Sequence, residues 1–134
     1  MTDTGDLVSP EVRAVTIDGQ PLVVAWADTP TSRARGLMGV EDLGALDGMV
    51  FDLGREKVPW FTMRNTLIAL DVVFFAADGS GVGKLEMVPC TAEPCPSYTV
   101  EEAARYAFEA PLGALPLEAG SRLELEGAAS PPDG

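Results

Sequence analysis

WFTMRNTLIALDVVFFAADG, residues Trp60–Gly79, holds the densest run of strand and turn signals in the chain. Two apolar runs, Trp60–Met63 and Leu70–Ala76, flank a polar corner of Arg64, Asn65 and Thr66. The second run is β-branched and aromatic, and both are short, which is the pattern of buried strands. Asp78-Gly79 then supplies the positive φ angles of a tight hairpin turn. The partner strand is expected over Gly81–Val88, where Leu85 and Met87 alternate with Lys84 and Glu86, giving one dry and one wet face.

The same signals recur outward. Val12–Ile17 and Pro21–Trp26, joined at Asp18-Gly19, form a second hairpin with Leu22, Val24 and Trp26 on one face. Asp28–Gly39 is punctuated as a short helix, with Asp28 or Thr29 as cap, Pro30 in the first turn and Gly39 as the stop. Ala34, Leu37 and Met38 would share its buried face, flanked by Arg33 and Arg35. Gly48–Phe51 is a short strand and Arg55–Pro59 a polar turn. Thr99-x-x-Glu102 is a capping-box pattern, predicting one helical turn before a strand at Tyr106–Glu109. Arg122–Glu126 alternates Leu with charge, as an edge strand does. The expected fold is mainly β (α+β): a small antiparallel barrel-like or strongly curled sheet with one or two short helices, because many short strands need their edges closed. A flexible tail at residues 1–10, a single domain over 11–126 and a second tail at 127–134 complete the organisation.

Composition narrows the function. At 134 residues, 46% hydrophobic and 22% charged, the chain is ordinary globular material with room for one core. A net charge of −12 with only 9 Lys and Arg argues against nucleic acid or an anionic membrane as the main partner. The longest apolar run, Leu67–Ala77, is shorter than the roughly 20 residues of a membrane span and contains Asp71. The first residues lack the basic-then-apolar layout of a leader, so the chain as given reads as cytoplasmic, with its compartment open. There is no histidine. That removes Ser-His-Asp and Cys-His pairs and every imidazole metal site. Two cysteines alone cannot make a structural zinc site, so neither metal nor cofactor is expected. Any enzyme reading rests on carboxylates, arginines, a tyrosine or a thiol.

Arg64, Asn65 and Thr66 are read in two ways. As a corner they serve the backbone, Asn tolerating a left-handed conformation. As a site, Arg64 and Asn65 present polar groups to a pocket floored by Trp60 and Met63. Asp71, a lone carboxylate in an apolar run, needs a partner, for which Arg64 and Arg35 are the candidates. MVPCTAEPCPSY (Met87–Tyr98) holds Cys90 and Cys95 between prolines, so a loop-stapling disulfide ranks ahead of free thiols, and both ahead of thiol catalysis or metal binding. The C-x4-C spacing is not that of thioredoxin-like enzymes. Glu93 and Tyr98 add polar groups to the same mouth. Arg35 and Met38, at the end of the short helix, complete the set.

Taken together, ADTPTSRARGLMG (Ala27–Gly39), GMVF (Gly48–Phe51), Trp60–Gly79, EMVPCTAEPCPSY (Glu86–Tyr98) and ARYAFE (Ala104–Glu109) closely resemble the DUF192 family, over about Val23 to Leu125. The resemblance implies a mostly β domain with short helices and carries no established activity. Its signature positions correspond here to Arg35, Met38, Trp60, Met63, Asn65, Thr66, Asp71, Cys90, Cys95 and Tyr98. Arg64 stands where that family usually has lysine, and Ala69 where it commonly has proline. Many bacterial relatives carry a leader, which would favour the disulfide.

Three functions follow in order. The first is a non-enzymatic module binding a small polar ligand or a partner segment at the mouth formed by Trp60–Asp71 and the Cys90–Cys95 loop. The second is a histidine-free enzyme in which Asp71 is acid or base and Arg64 steadies an anion. The third is a purely structural or interaction domain.

Overall fold

Asp18 and Gly19 take φ values of 53° and 82°, the left-handed pair that a two-residue hairpin connection requires. They join β1 (Glu11–Ile17) to β2 (Gln20–Ala27) in antiparallel register, with Ile17 opposite Gln20. The computed structural model describes residues 11–125. The tails expected at 1–10 and 127–134 lie outside the described residues, and Glu126, the last residue of the expected edge strand, lies there too.

β3 (Gly48–Lys57) runs parallel to β2, with Val24 opposite Gly48 and Ala27 opposite Phe51. Parallel neighbours need a long crossover, and residues 28–47 supply it, carrying α1 (Pro30–Arg35). Thr29 caps this helix: its Oγ1 accepts from the Ser32 N–H at 3.0 Å while the Ser32 Oγ accepts from the Thr29 N–H at 3.0 Å. The expected stop at Gly39 is corrected to Gly36, which takes φ 50° and ψ −130°, a conformation that favours glycine. That turn brings the chain against the Phe51 ring. The expected stripe changes with it. Ala34 is exposed and no residue of α1 is buried; burial falls on Leu37, Val40 and Leu43 beyond the helix.

The rest follows as β4 (Phe61–Thr62), β5 (Leu70–Phe75), β6 (Gly81–Met87), β7 (Ser97–Tyr98), β8 (Ala104–Pro111) and β9 (Leu123–Leu125). One seven-stranded sheet has the order β6-β5-β8-β3-β2-β1-β9, and β4 pairs with β7 separately. Two expectations are corrected. Arg55–Lys57 belongs to β3 rather than to a turn: Arg55 and Glu56 lie within a bulge between Asp52 and Lys57 that includes Gly54 at φ 85°, and Lys57 resumes the pairing. No helical turn forms at Thr99–Glu102; the Thr99 hydroxyl donates to the Pro59 carbonyl at 2.6 Å.

The sheet curls until its two edges touch. Ser80 bridges Arg122, and the Leu123 N–H donates to the Gly79 carbonyl at 2.8 Å. Gly79 and Gly81 permit this contact: a Cβ on Gly79 would collide with the Leu123 carbonyl oxygen, and one on Gly81 with that of Ala119. The fold is a mainly β half-barrel with one small helix. Both faces of the sheet are covered. Leu70, Val72 and Phe74 pack on one side with Phe51 and Met63; Val73 and Phe75 pack on the other with Val24, Trp26 and Phe108. All six residues of β5 are therefore buried. Among the described residues no helix is long and apolar enough to cross a membrane.

Candidate functional site

A cleft of about 460 Å³ opens between the α1 segment, the bulged end of β3 and the chain around β4. Met38, Phe51, Phe61 and Met63 give it apolar walls, and Arg33, Arg35 and Lys57 also line it. Trp60, 70% exposed, stands at its lip rather than on its floor, while Met63 is buried. Of the positions singled out in the sequence, Arg35, Met38, Trp60, Met63 and Thr66 line this cleft.

The others lie elsewhere. Arg64 pairs with Glu93 at 2.7 Å, both side chains largely exposed, tying the corner to the cysteine loop. Asn65 is the corner itself: φ is 58°, its N–H donates to the Cys90 carbonyl at 2.9 Å, and its carbonyl accepts from the Gly39 N–H at 2.9 Å. The Tyr98 hydroxyl accepts from the Val88 N–H at 3.4 Å, and Tyr98 stands opposite Phe61 in the small sheet. Cys90 and Cys95 lie at disulfide distance, Cα to Cα 5.8 Å. Cys90 bridges both Arg64 and Thr66, so the cysteine loop braces the corner from outside the cleft.

Asp71 is corrected in its partners. Neither Arg64 nor Arg35 reaches it. Its Oδ1 lies 3.3 Å from the Lys84 ammonium and its Oδ2 accepts from the Gly113 N–H at 2.9 Å. The alternation of β5 puts Asp71 on the face of Val73 and Phe75, opposite the cleft. It holds the turn after β8 against β5.

The carboxylate that does face the cleft is Glu109, third from the end of β8 and only 4% exposed. Its register neighbours are Met49 on β3 and Val72 on β5, both buried. No hydrogen bond or ion pair of its carboxyl is present among the described residues. Burial therefore pushes its pKa up to about 8, and the group is mostly protonated at neutral pH. A neutral carboxyl carries one donor hydrogen and accepting oxygens. The signal for Glu109 was the one that drew attention to Asp71, a lone acid in an apolar strand.

Asp52, near the cleft, organises the cations around it. Arg105 donates to its carboxylate through Nε at 2.8 Å and Nη2 at 3.3 Å, while the Arg33 Nη1 donates to its backbone carbonyl at 3.0 Å. Burial would raise the Asp52 pKa, but the hydrogen bonds from Arg105 and the Gly54 N–H, with the nearby charges of Arg105 and Arg33, hold it below the ordinary value. Among the described residues no three His, Cys, Asp or Glu side chains gather as a metal site requires.

Two solved structures share this architecture. A protein from Sinorhizobium meliloti 1021, described as a candidate transcription regulator, superposes with a TM-score of 0.76 at 28% identity, over 88% of this chain and 96% of that one. A protein of unknown function from Novosphingobium aromaticivorans DSM 12444 gives a TM-score of 0.73 at 24% identity, over 92% and 98%; that likeness is one of fold. No curated protein matches the chain. The family model of DUF192, an uncharacterised family, matches residues 13–125, nearly the whole described structure, and the chain belongs to the DUF192 family.

Proposed function

We propose that the chain is a non-enzymatic module that binds a small polar ligand, or a polar segment of a partner, in the cleft beneath Trp60. The mouth is narrower than the one outlined from the sequence. Arg35, Met38, Trp60, Met63 and Thr66 belong to it; Arg64, Asn65, Tyr98 and the Cys90–Cys95 loop brace it from behind. The observation that carries this reading is Glu109, a buried carboxyl without a partner that faces an open cleft. A buried polar group is ordinarily satisfied, and a bound molecule satisfies this one. The volume and the apolar walls with a few polar groups suit a small ligand.

An enzyme built on Asp71 and Arg64 is the weaker reading, since those groups are committed to Lys84 and to Glu93. The description of the Sinorhizobium protein is not carried over, because the net charge of −12 suits small ligands better than a phosphate backbone.

The test is an amide and indole NMR screen of the full chain against a library of small polar fragments. Binders are expected to shift the Trp60 indole together with Gly36 and Thr66. Hits that fall only elsewhere, or no hits, would count against the cleft as a ligand site.

A further inference from the structure

The cleft is electrically unlike the molecule that carries it. The chain bears 21 Asp and Glu against 9 Lys and Arg. Yet three of those nine cations, Arg33, Arg35 and Lys57, line one cleft, and Glu109 is the single acidic residue among its lining groups. The nearby Asp52 carboxylate is engaged by Arg105. A cleft edged by one sign of charge, with low-dielectric walls, concentrates the field for the opposite sign. At its buried side sits a carboxyl with an unused hydrogen-bond donor.

We infer that the ligand is a small organic anion with an apolar body, whose anionic oxygen accepts a hydrogen bond from the Glu109 carboxyl within the positive field of Arg33, Arg35 and Lys57. This rests on the reading of the cleft as a ligand site and names the class of molecule it takes. Hydrogen bonds from a neutral acid to an oxyanion are among the stronger kinds. The apolar body lies against Met38, Phe51 and Met63, with Trp60 over it. A small organic cation is the poorer fit. It would have to pass three like charges and then ionise Glu109, which burial holds protonated.

The two classes respond to pH in opposite directions. An anion needs Glu109 protonated, so its binding weakens as pH rises past about 8; a cation needs Glu109 ionised, so its binding strengthens as pH rises toward about 8 and levels off above it. The experiment titrates the full chain with hexanoate and, separately, with hexylammonium, following the cleft amides and the Trp60 indole by NMR from about pH 6 to about pH 9. Hexanoate is expected to bind at the cleft, its Kd rising about tenfold per pH unit above the Glu109 pKa. Glu109→Gln, which keeps a donor but cannot ionise, binds hexanoate within a few-fold of wild type near neutrality and loses the alkaline fall. Glu109→Leu weakens it by about tenfold or more at neutral pH.

Hexylammonium binding that tightens with pH, with hexanoate inert, would overturn the anionic class and leave the cleft standing as a ligand site. Hexanoate binding that is the same in wild type and Glu109→Leu, or that maps outside the cleft, would overturn the role given to Glu109. If hexanoate fails while other fragments occupy the cleft, the class alone falls; if no fragment binds there, both readings fall together.

Discussion

Glu109 and Asp71 carry the same signature in the sequence, one acid inside an apolar strand, and they end in opposite states. Asp71 is answered by Lys84 and the Gly113 N–H, whereas Glu109 is answered only by desolvation. Sequence alone draws attention to such a residue without saying which strand face it occupies or what lies across from it. Asp71 was therefore legible as an oddity, while Glu109 read as the end of a strand. Arg35, Met38, Trp60, Met63 and Thr66 were legible as neighbours because they cluster around the two segments that fold over the sheet. The difference in state has a thermodynamic consequence. The folded-state pKa of Glu109, about 8, lies above its ordinary 4.5, so the folded chain holds this proton more tightly than the unfolded chain. Its contribution is most favourable below the unfolded pKa and is lost as pH rises through the interval to about 8. Glu109→Gln removes that loss, and the variant is expected to be more stable than wild type near pH 7 by about 2–3 kcal/mol. Urea denaturation of both proteins across that interval checks this, and parallel pH profiles would contradict it.

At the scale of elements, the hairpins were the most legible part. Asp18-Gly19 forms the expected two-residue turn, both residues at positive φ, whereas at Asp78-Gly79 only Gly79 takes a positive φ, 91°, and its N–H donates to the Ala76 carbonyl at 2.9 Å, so that hairpin turns over a longer loop than expected. The other errors fall where a local pattern meets a distant contact. Arg55–Pro59 reads as a polar turn, yet the chain continues in β3 to pair Lys57 with Ala104 beyond the bulge. At Thr99 the capping-box pattern starts no helical turn, and its hydroxyl is bound to the Pro59 carbonyl, forty residues away in sequence. The parallel pairing of β2 with β3 leaves no short-range trace at all. Closure of the curl depends on Gly81 in the same way, since only the folded sheet reveals the Ala119 carbonyl beside it. Gly81→Ala is expected to destabilise the fold by about 1–3 kcal/mol, since the added carbon meets backbone that cannot swing aside. Gly120→Ala is the control: a Cβ there meets nothing within 4 Å, and the expected change is below about 0.5 kcal/mol. Urea midpoints of the two variants distinguish the cases; equal effects would show that the edge contact is not what Gly81 serves.

At the scale of the whole molecule, the half-barrel leaves a cleft between the α1 segment and the bulged end of β3. The strand that fills both cores also delivers Glu109 to that gap. An acidic chain thus presents a cleft lined by cations around a carboxyl that stays neutral. The small β4–β7 sheet, the Arg64–Glu93 pair and the cysteine loop hold the outer wall in place. Whether Glu109 stands unpartnered at that cleft is measured directly by a titration of its side-chain carboxyl carbon by ¹³C NMR. The expected midpoint is near 8, accompanied by shifts at Gly36, Thr66 and the Trp60 indole. A midpoint near the ordinary 4.5 would mean that water or a cation already satisfies the group, and would contradict the unpartnered state.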